Sequence, residues 1–207
     1  VPKLAELYES LSRNNILNIH GYGGTAHNTA YNILNKFCPG QIVSPQFDYD
    51  KYSPNNIVSI LERLIEAENI SVIVGTSLGG FFACCMNRKH EMPIILVNPC
   101  LLPFITLRQI SNTYNFARYG KQLFELFGQH MGELDRRYIS TIVGKSDEII
   151  NHETTTKYFI RNKRWYKVNG GHHLERTDEL SAAFQNILIY YNKYLPEIQG
   201  GETLRNF

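Results

Sequence analysis

Short β-type runs recur at positions 15–20, 41–45, 72–76, 93–99, 138–144 and 164–168, the one at 93–99 almost wholly apolar. Between them the apolar residues fall at helical spacing. Tyr31, Leu34 and Phe37 share one face of a helix expected over about 27–37. Ile57, Ile60, Leu61, Leu64 and Ile65 form a stripe behind Ser53-Pro54, which reads as N-cap and first helical position. Leu180, Phe184, Ile187, Leu188 and Tyr191 do the same over about 177–195. Further helices are expected after residue 77, stopping before Pro93, and over about 152–161. A short amphipathic stretch at 3–12 opens the chain, and residues 196–207 read as a loose tail.

Runs that are apolar on both sides suit a parallel sheet covered on two faces. The alternation therefore predicts an α/β fold, with a mostly parallel sheet of about six strands and helices on both faces. The whole of 1–207 reads as one domain. Residues 100–133 break the rhythm, mixing Phe104, Tyr114, Phe116, Tyr119, Phe124 and Phe127 with Arg108, Arg118 and Lys121. They are expected to form a small cap over the site whose aromatics line an apolar pocket. In such sheets the chemistry lies beyond the C-terminal strand ends. The unusual residues cluster there: Gly21 to Gly24, Ser77, Asn98-Pro99, Asp147-Glu148 and His172-His173.

The most informative of these ends is Gly75-Thr76-Ser77-Leu78-Gly79, a G-x-S-x-G turn with a β-type run before it and Gly80-Phe81-Phe82 after it. A strand swung sharply into a helix holds a serine hydroxyl at the sheet edge, beside unpaired N–H groups of the helix start. A serine needs a base within hydrogen-bond reach, and the base needs a carboxylate to orient it. The order Ser77, Asp147, then the histidine pair, each after its own strand, is the order of α/β-hydrolases. Glu148 competes locally with Asp147, and His172 and His173 compete for the place of the base. The Leu78 N–H, next to the nucleophile, and the Tyr22 N–H, in the turn His20-Gly21-Tyr22-Gly23-Gly24, would serve a developing oxyanion. His20 reads as a brace of that turn, and Gly21 as site-lining. The remaining histidines, 27, 90, 130 and 152, read as plain surface residues.

Composition changes this picture little. A net charge of +2 and the absence of a long Lys/Arg block argue against nucleic acid as a partner. Arg136-Arg137 and the group Arg161, Lys163 and Arg164 read as solvated faces. No run approaches the roughly 20 apolar residues of a membrane span. Four cysteines, two of them adjacent, read as small buried hydrophobes, which fits a cytoplasmic setting. No metal site and no cofactor are expected, since adjacent histidines lack the i, i+4 spacing of a zinc pair.

The pieces L-N-I-H-G-Y-G-G, V-G-T-S-L-G-G-F-F-A, I-L-V-N-P-C-L-L-P-F, V-G-K-S-D-E-I-I and N-G-G-H-H-L occur in this order over about residues 14–195. On them the chain resembles the YqiA-type small α/β-hydrolase esterases. The resemblance implies a compact α/β-hydrolase fold and esterase activity on short acyl esters. It implies Ser77 as nucleophile, Asp147 as triad acid and His173 as base, with His172 at the pocket rim. Two departures stand out. The family usually carries G-G-N-H, where this chain has His172 in the Asn position, and Lys145 and Ser146 are extra before D-E. The expected partner is a small acyl ester, without nucleic acid or membrane. A thioesterase or acyltransferase on the same triad, or a non-catalytic binding protein on the same fold, are the other readings.

Overall fold

The computed structural model describes residues 15–111, 115–160, 164–174 and 176–199. The amphipathic start at 3–12, Tyr114, Arg161, Lys163 and the tail beyond 199 lie outside them. Six strands, β1 (Asn15–Ile19), β2 (Ile42–Val43), β3 (Ile70–Thr76), β4 (Ile94–Val97), β5 (Ile139–Gly144) and β6 (Trp165–Val168), form one sheet. Its order is β2-β1-β3-β4-β5-β6 and every pairing is parallel. The helices are α1 (Thr29–Phe37), α2 (Pro54–Ala67), α3 (Leu78–Asn87), α4 (Pro103–Ile110), α5 (Lys121–His130), α6 (Thr156–Phe159) and α7 (Thr177–Gln199). The alternating apolar runs thus form the expected α/β architecture.

Period-two alternation explains why both faces are covered. Leu17, Ile19, Ile73, Ile94 and Leu96 face a core built with Ile57 and Leu61 of α2 and Phe81 and Phe82 of α3. Their neighbours Ile16, Val72, Val74, Ile95 and Val97 face the opposite core with Leu34 of α1 and Phe184, Ile187 and Leu188 of α7. The four cysteines are buried and unbridged among these apolar side chains. No helix of the described residues is long and apolar enough to cross a membrane.

Local sequence sets the helix starts. Ser53 accepts from the Asn56 N–H at 3.3 Å with Pro54 in the first turn of α2, and Asn28 accepts from the Tyr31 N–H at 2.9 Å to start α1. Three expectations differ from what is seen. The helix expected over 152–161 is confined to Thr156–Phe159. Asn151 O accepts from the Thr155 N–H, and the threonine hydroxyls bond back to the same carbonyl, so the chain turns before it becomes helical. At the other end α7 continues past Pro196 to Gln199, so the tail begins later than expected. Arg164 is not a solvated cation: it stacks on Tyr190 and donates to Ile139 O, Ser140 Oγ and the Arg136 and Arg137 carbonyls.

The segment read as a cap holds α4, a π-helical turn at Phe116–Gly120 and α5. Three of its aromatics pack together: the Phe104 ring lies 5.2 Å from Phe124 and 5.4 Å from Phe127, which meets Phe159. Leu123 and Leu126 anchor α5 in the core.

Candidate active site

The chain leaves β1 toward β2 on one side and later crosses to β3 on the other, so the crevice beyond β1 and β3 is the topological switch point. Two loops meet there, one after each strand.

The loop after β3 is the G-x-S-x-G turn. Ser77 has φ 52° and ψ −118°, a conformation an L-residue adopts only under local constraint. The constraint is hydrogen-bonded from both sides. Ser77 N–H donates to Val97 O at 3.0 Å, and Ser77 O accepts from the Gly80 and Cys100 N–H groups, each at 2.9 Å. A Cβ on Gly75 would lie 2.5 Å from Gly79 O, and one on Gly79 would collide with the Ile19 carbonyl, so both glycines permit approaches that no other residue allows. Leu78 begins α3, where its N–H has no acceptor within the helix.

The loop after β1 lies against this turn, so close that a Cβ added to Gly21 would lie 2.9 Å from Ser77 Cβ. Gly21 O accepts from the Gly24 N–H at 3.0 Å and from His20 Nδ1 at 2.8 Å. The peptide is planar and trans, so the Tyr22 N–H points opposite to that doubly held carbonyl. His20 is fully buried and its Nε2 accepts from the Phe47 N–H at 3.0 Å. Burial lowers its pKa, and with both nitrogens engaged it braces the turn as the sequence suggested. The Tyr22 hydroxyl donates to Asp50 at 2.9 Å and meets Ser111 Oγ at 2.7 Å, tying this loop to the end of α4.

Beyond β5 and β6, a continuous line of hydrogen bonds reaches Ser77. His172 Nε2 lies 3.0 Å from Ser77 Oγ, and His172 Nδ1 lies 2.9 Å from Asp147 Oδ2. The placing of His173 in this line is thereby corrected: His172 occupies it, and His173 is exposed at the rim of the adjoining hollow. The two rings meet edge-on, their centroids 5.7 Å apart, on a loop that bends throughout 169–173. Leu174, which follows the pair, is buried in the core beneath α7.

The backbone of this loop is fixed independently of its ring. Asn98, fully buried with φ 43°, donates from Nδ2 to Gly171 O at 3.1 Å and His172 O at 2.8 Å, and accepts the Gly144 N–H at 2.7 Å. One side chain at the end of β4 thus joins the ends of β5 and β6. Glu148 accepts the His172 N–H at 3.0 Å, which lowers its pKa, so it holds the backbone of His172 and not the ring.

Asp147 lies at the centre. Its Oδ1 accepts the Ile149 and Ile150 N–H groups, each at 2.9 Å, and its Oδ2 faces both His172 Nδ1 and, at 2.8 Å, His152 Nε2. Burial alone would raise its pKa. Hydrogen bonds from His152, His172 and the Ile150 N–H outweigh that and hold the carboxyl well below the usual carboxylate range. His152 was read from sequence as a surface residue; it is buried, with Nδ1 2.8 Å from Thr156 Oγ1. Nothing in its spacing announces this, because the fold of the 147–156 loop brings it back to Asp147. Among the described residues no three His, Cys, Asp or Glu side chains are grouped to hold a metal ion.

A hollow of about 300 Å³ adjoins Ser77, walled by Tyr22, Val97, Ile110, Ile149, Leu174 and Leu180, with Asn28 and Thr76 also contributing. The expectation that the aromatics of 100–133 line it is corrected: among the described residues, Ile110 is the one of that segment that reaches it. Phe104, Phe124 and Phe127 are taken up in packing on one another.

Solved structures share this fold. The lipolytic enzymes LipS and LipT, of metagenomic origin, are represented by a structure matching at TM-score 0.63 and 14% identity, over 87% of this chain and 94% of that one. The esterase domain of a Rhodothermus marinus protein matches at TM-score 0.62 and 13% identity, covering 87% of each chain. Est1E from Butyrivibrio proteoclasticus matches at TM-score 0.60 and 14% identity, over 86% of this chain and 87% of that one. The model of the uncharacterised protein family UPF0227 matches residues 15–190. With that match spanning all six strands, the chain belongs to UPF0227, the YqiA family, and carries an α/β-hydrolase fold.

Proposed function

We propose that this protein is a serine hydrolase that cleaves a short acyl ester through Ser77, His172 and Asp147. The observation that carries the reading is the unbroken line from Ser77 Oγ to His172 Nε2 and from His172 Nδ1 to Asp147 Oδ2, at 3.0 and 2.9 Å. Nucleophile and base are within hydrogen-bond reach, and the base is oriented by a carboxylate.

The steps follow from the tautomers. Ionised Asp147 only accepts, so His172 carries its proton on Nδ1 and presents a bare Nε2 to the Ser77 hydroxyl. As Oγ attacks the acyl carbon, its proton passes to Nε2, and Asp147 stabilises the imidazolium. The carbonyl π pair moves onto oxygen, where the Leu78 N–H at the start of α3 and the Tyr22 N–H are the donors. When the tetrahedral centre collapses, the alkoxide leaves with the Nε2 proton as the alcohol. Water then attacks the acyl-serine, giving its proton to Nε2, and the carboxylic acid departs as Ser77 recovers its hydrogen. The apolar hollow beside Ser77 suits a small acyl chain, because its walls are mostly aliphatic.

The test is labelling with a fluorophosphonate, followed by a panel of p-nitrophenyl esters and the matching thioesters. Wild-type protein is expected to be labelled at Ser77 and to hydrolyse the short esters, and Ser77→Ala to do neither. A folded wild-type protein that is neither labelled nor active would instead be a binding protein on a hydrolase fold. Hydrolysis confined to thioesters would move the substrate class and keep the triad.

A further inference from the structure

A serine-hydrolase triad needs one histidine on its carboxylate, and here there are two. His152 Nε2 lies 2.8 Å from Asp147 Oδ2, the same oxygen that receives His172 Nδ1 at 2.9 Å. The His152 side chain is 5% exposed and the Asp147 side chain 1%, so water does not compete for this contact. We infer that His152 is a positioning residue for Asp147, fixing Oδ2 on the line to His172 and sharing its charge. The inference rests on the reading of Ser77, His172 and Asp147 as a triad.

The tautomer of His152 is set from behind. A carboxylate offers no proton, so Nε2 must carry one, which leaves Nδ1 bare in the neutral ring. Thr156 Oγ1, fully buried at the start of α6, lies 2.8 Å from that Nδ1 and supplies the hydrogen. Thr156 thus aims His152, His152 aims Asp147, and Asp147 aims His172. The other oxygen of Asp147 is already held by the Ile149 and Ile150 N–H groups. Those two bonds set the position of the carboxyl group, but Oδ2 is held only by the two imidazoles. Among the described residues, the other titratable neighbours are Cys100, whose thiol burial pushes up to about 11, Glu148, which is turned to the His172 N–H, and His173, whose ring meets that of His172 edge-on at 5.7 Å.

Two effects follow, and a space-filling role would produce neither. A second donor on Oδ2 draws charge from the His172 bond, so the imidazolium of His172 is stabilised less than by an undivided carboxylate. Donation also keeps Oδ2 in the plane that His172 Nδ1 requires throughout proton transfer.

The test compares wild type, His152→Leu, His152→Gln, Thr156→Val and Ser77→Ala on p-nitrophenyl acetate across pH, with folding checked by circular dichroism. Gln places an N–H donor at about the reach of His Nε2, and Leu keeps bulk without a donor. From the usual strength of a hydrogen bond to a charged group, His152→Leu is expected to lose about tenfold to a hundredfold in kcat with little change in KM. Its acid limb should move to higher pH, because Asp147 then faces His172 undivided. His152→Gln should recover most of the rate and return the limb. A folded His152→Leu within about twofold of wild type, with an unmoved limb, overturns the inference, as does equal impairment of the Leu and Gln variants. Should His152→Leu not fold, Thr156→Val decides: a lowered kcat supports the chain of orientation, and a wild-type profile refutes it. An inactive wild type, or an active Ser77→Ala, removes the triad reading and the inference with it. An active wild type, a dead Ser77→Ala and an unaltered His152→Leu remove the inference alone.

Discussion

Replacing Asn98 tests how the histidine loop is held. Asn98→Ala removes two donors and one acceptor, leaving Gly171 O, His172 O and the Gly144 N–H without their partner in a fully buried position. Each buried backbone group so orphaned costs about 1–3 kcal/mol. Asn98 also has φ 43°, where alanine is disfavoured relative to asparagine by about 1 kcal/mol. Water entering the space left by the amide offsets part of the sum, so about 3–6 kcal/mol is expected. With a urea m-value of roughly 2 kcal/mol/M, this lowers the unfolding midpoint by about 1.5–3 M. The assay is urea unfolding followed by Trp165 fluorescence and circular dichroism, with kcat measured on the folded fraction. Because the same amide holds the His172 carbonyl, kcat should fall as well. Asn98→Asp adds a signed check. One carboxylate oxygen would still accept from Gly144, but the other would face two carbonyls, which raises its folded pKa above the unfolded value. The deficit of Asn98→Asp should then be largest at neutral pH and shrink as pH falls through that raised pKa. An Asn98→Ala midpoint within about 0.5 M of wild type would refute the reasoning, because it would mean the three bonds carry no net stability.

Three other outcomes are expected. His172→Ala should abolish hydrolysis, by a factor on the order of 10⁴ or more, whereas His173→Ala should keep most of it; esterase assays that reverse the two would put the base one residue on. Asp147 is held well below the usual carboxylate range, so its contribution to stability is present above about pH 4 and is lost as pH falls below that. The stability gap between wild type and Asp147→Asn should therefore be constant near neutrality and close in acid, and a gap that widens there would contradict the hydrogen bonding described. Gly79→Ala should yield little folded protein, since its Cβ would collide with the Ile19 carbonyl; a soluble, well-folded variant on circular dichroism would show that β1 and the elbow can separate.

The strands, their parallel direction and the serine turn were legible because each rests on local pattern. Short β-type runs, the Ser53-Pro54 cap and G-x-S-x-G need no distant partner to be recognised. What escaped depended on tertiary return. His152 looks like any polar loop residue until the 147–156 turn folds it against Asp147. Which of His172 and His173 reaches Ser77 is set by how the bent 169–173 loop returns to Asp147, and the register taken from the resembling family does not carry that bend. The aromatics of 100–133 carried no mark separating ring-on-ring packing from a pocket wall, and Phe104, Phe124 and Phe127 pack ring on ring. Helix α7 ran on past Pro196, because a proline near the end of a long helix removes a single hydrogen bond.

The backbone of Ser77 sets the hydroxyl against the durability of the fold. A serine at φ 52° and ψ −118° forgoes on the order of 1 kcal/mol that glycine would not. Glycine would suit the conformation at no steric penalty, a case of stability and activity pulling apart. Keeping serine at 77 is thus a standing handicap in durability, and a Ser77→Gly variant, though inert, should outlast its parent on heating.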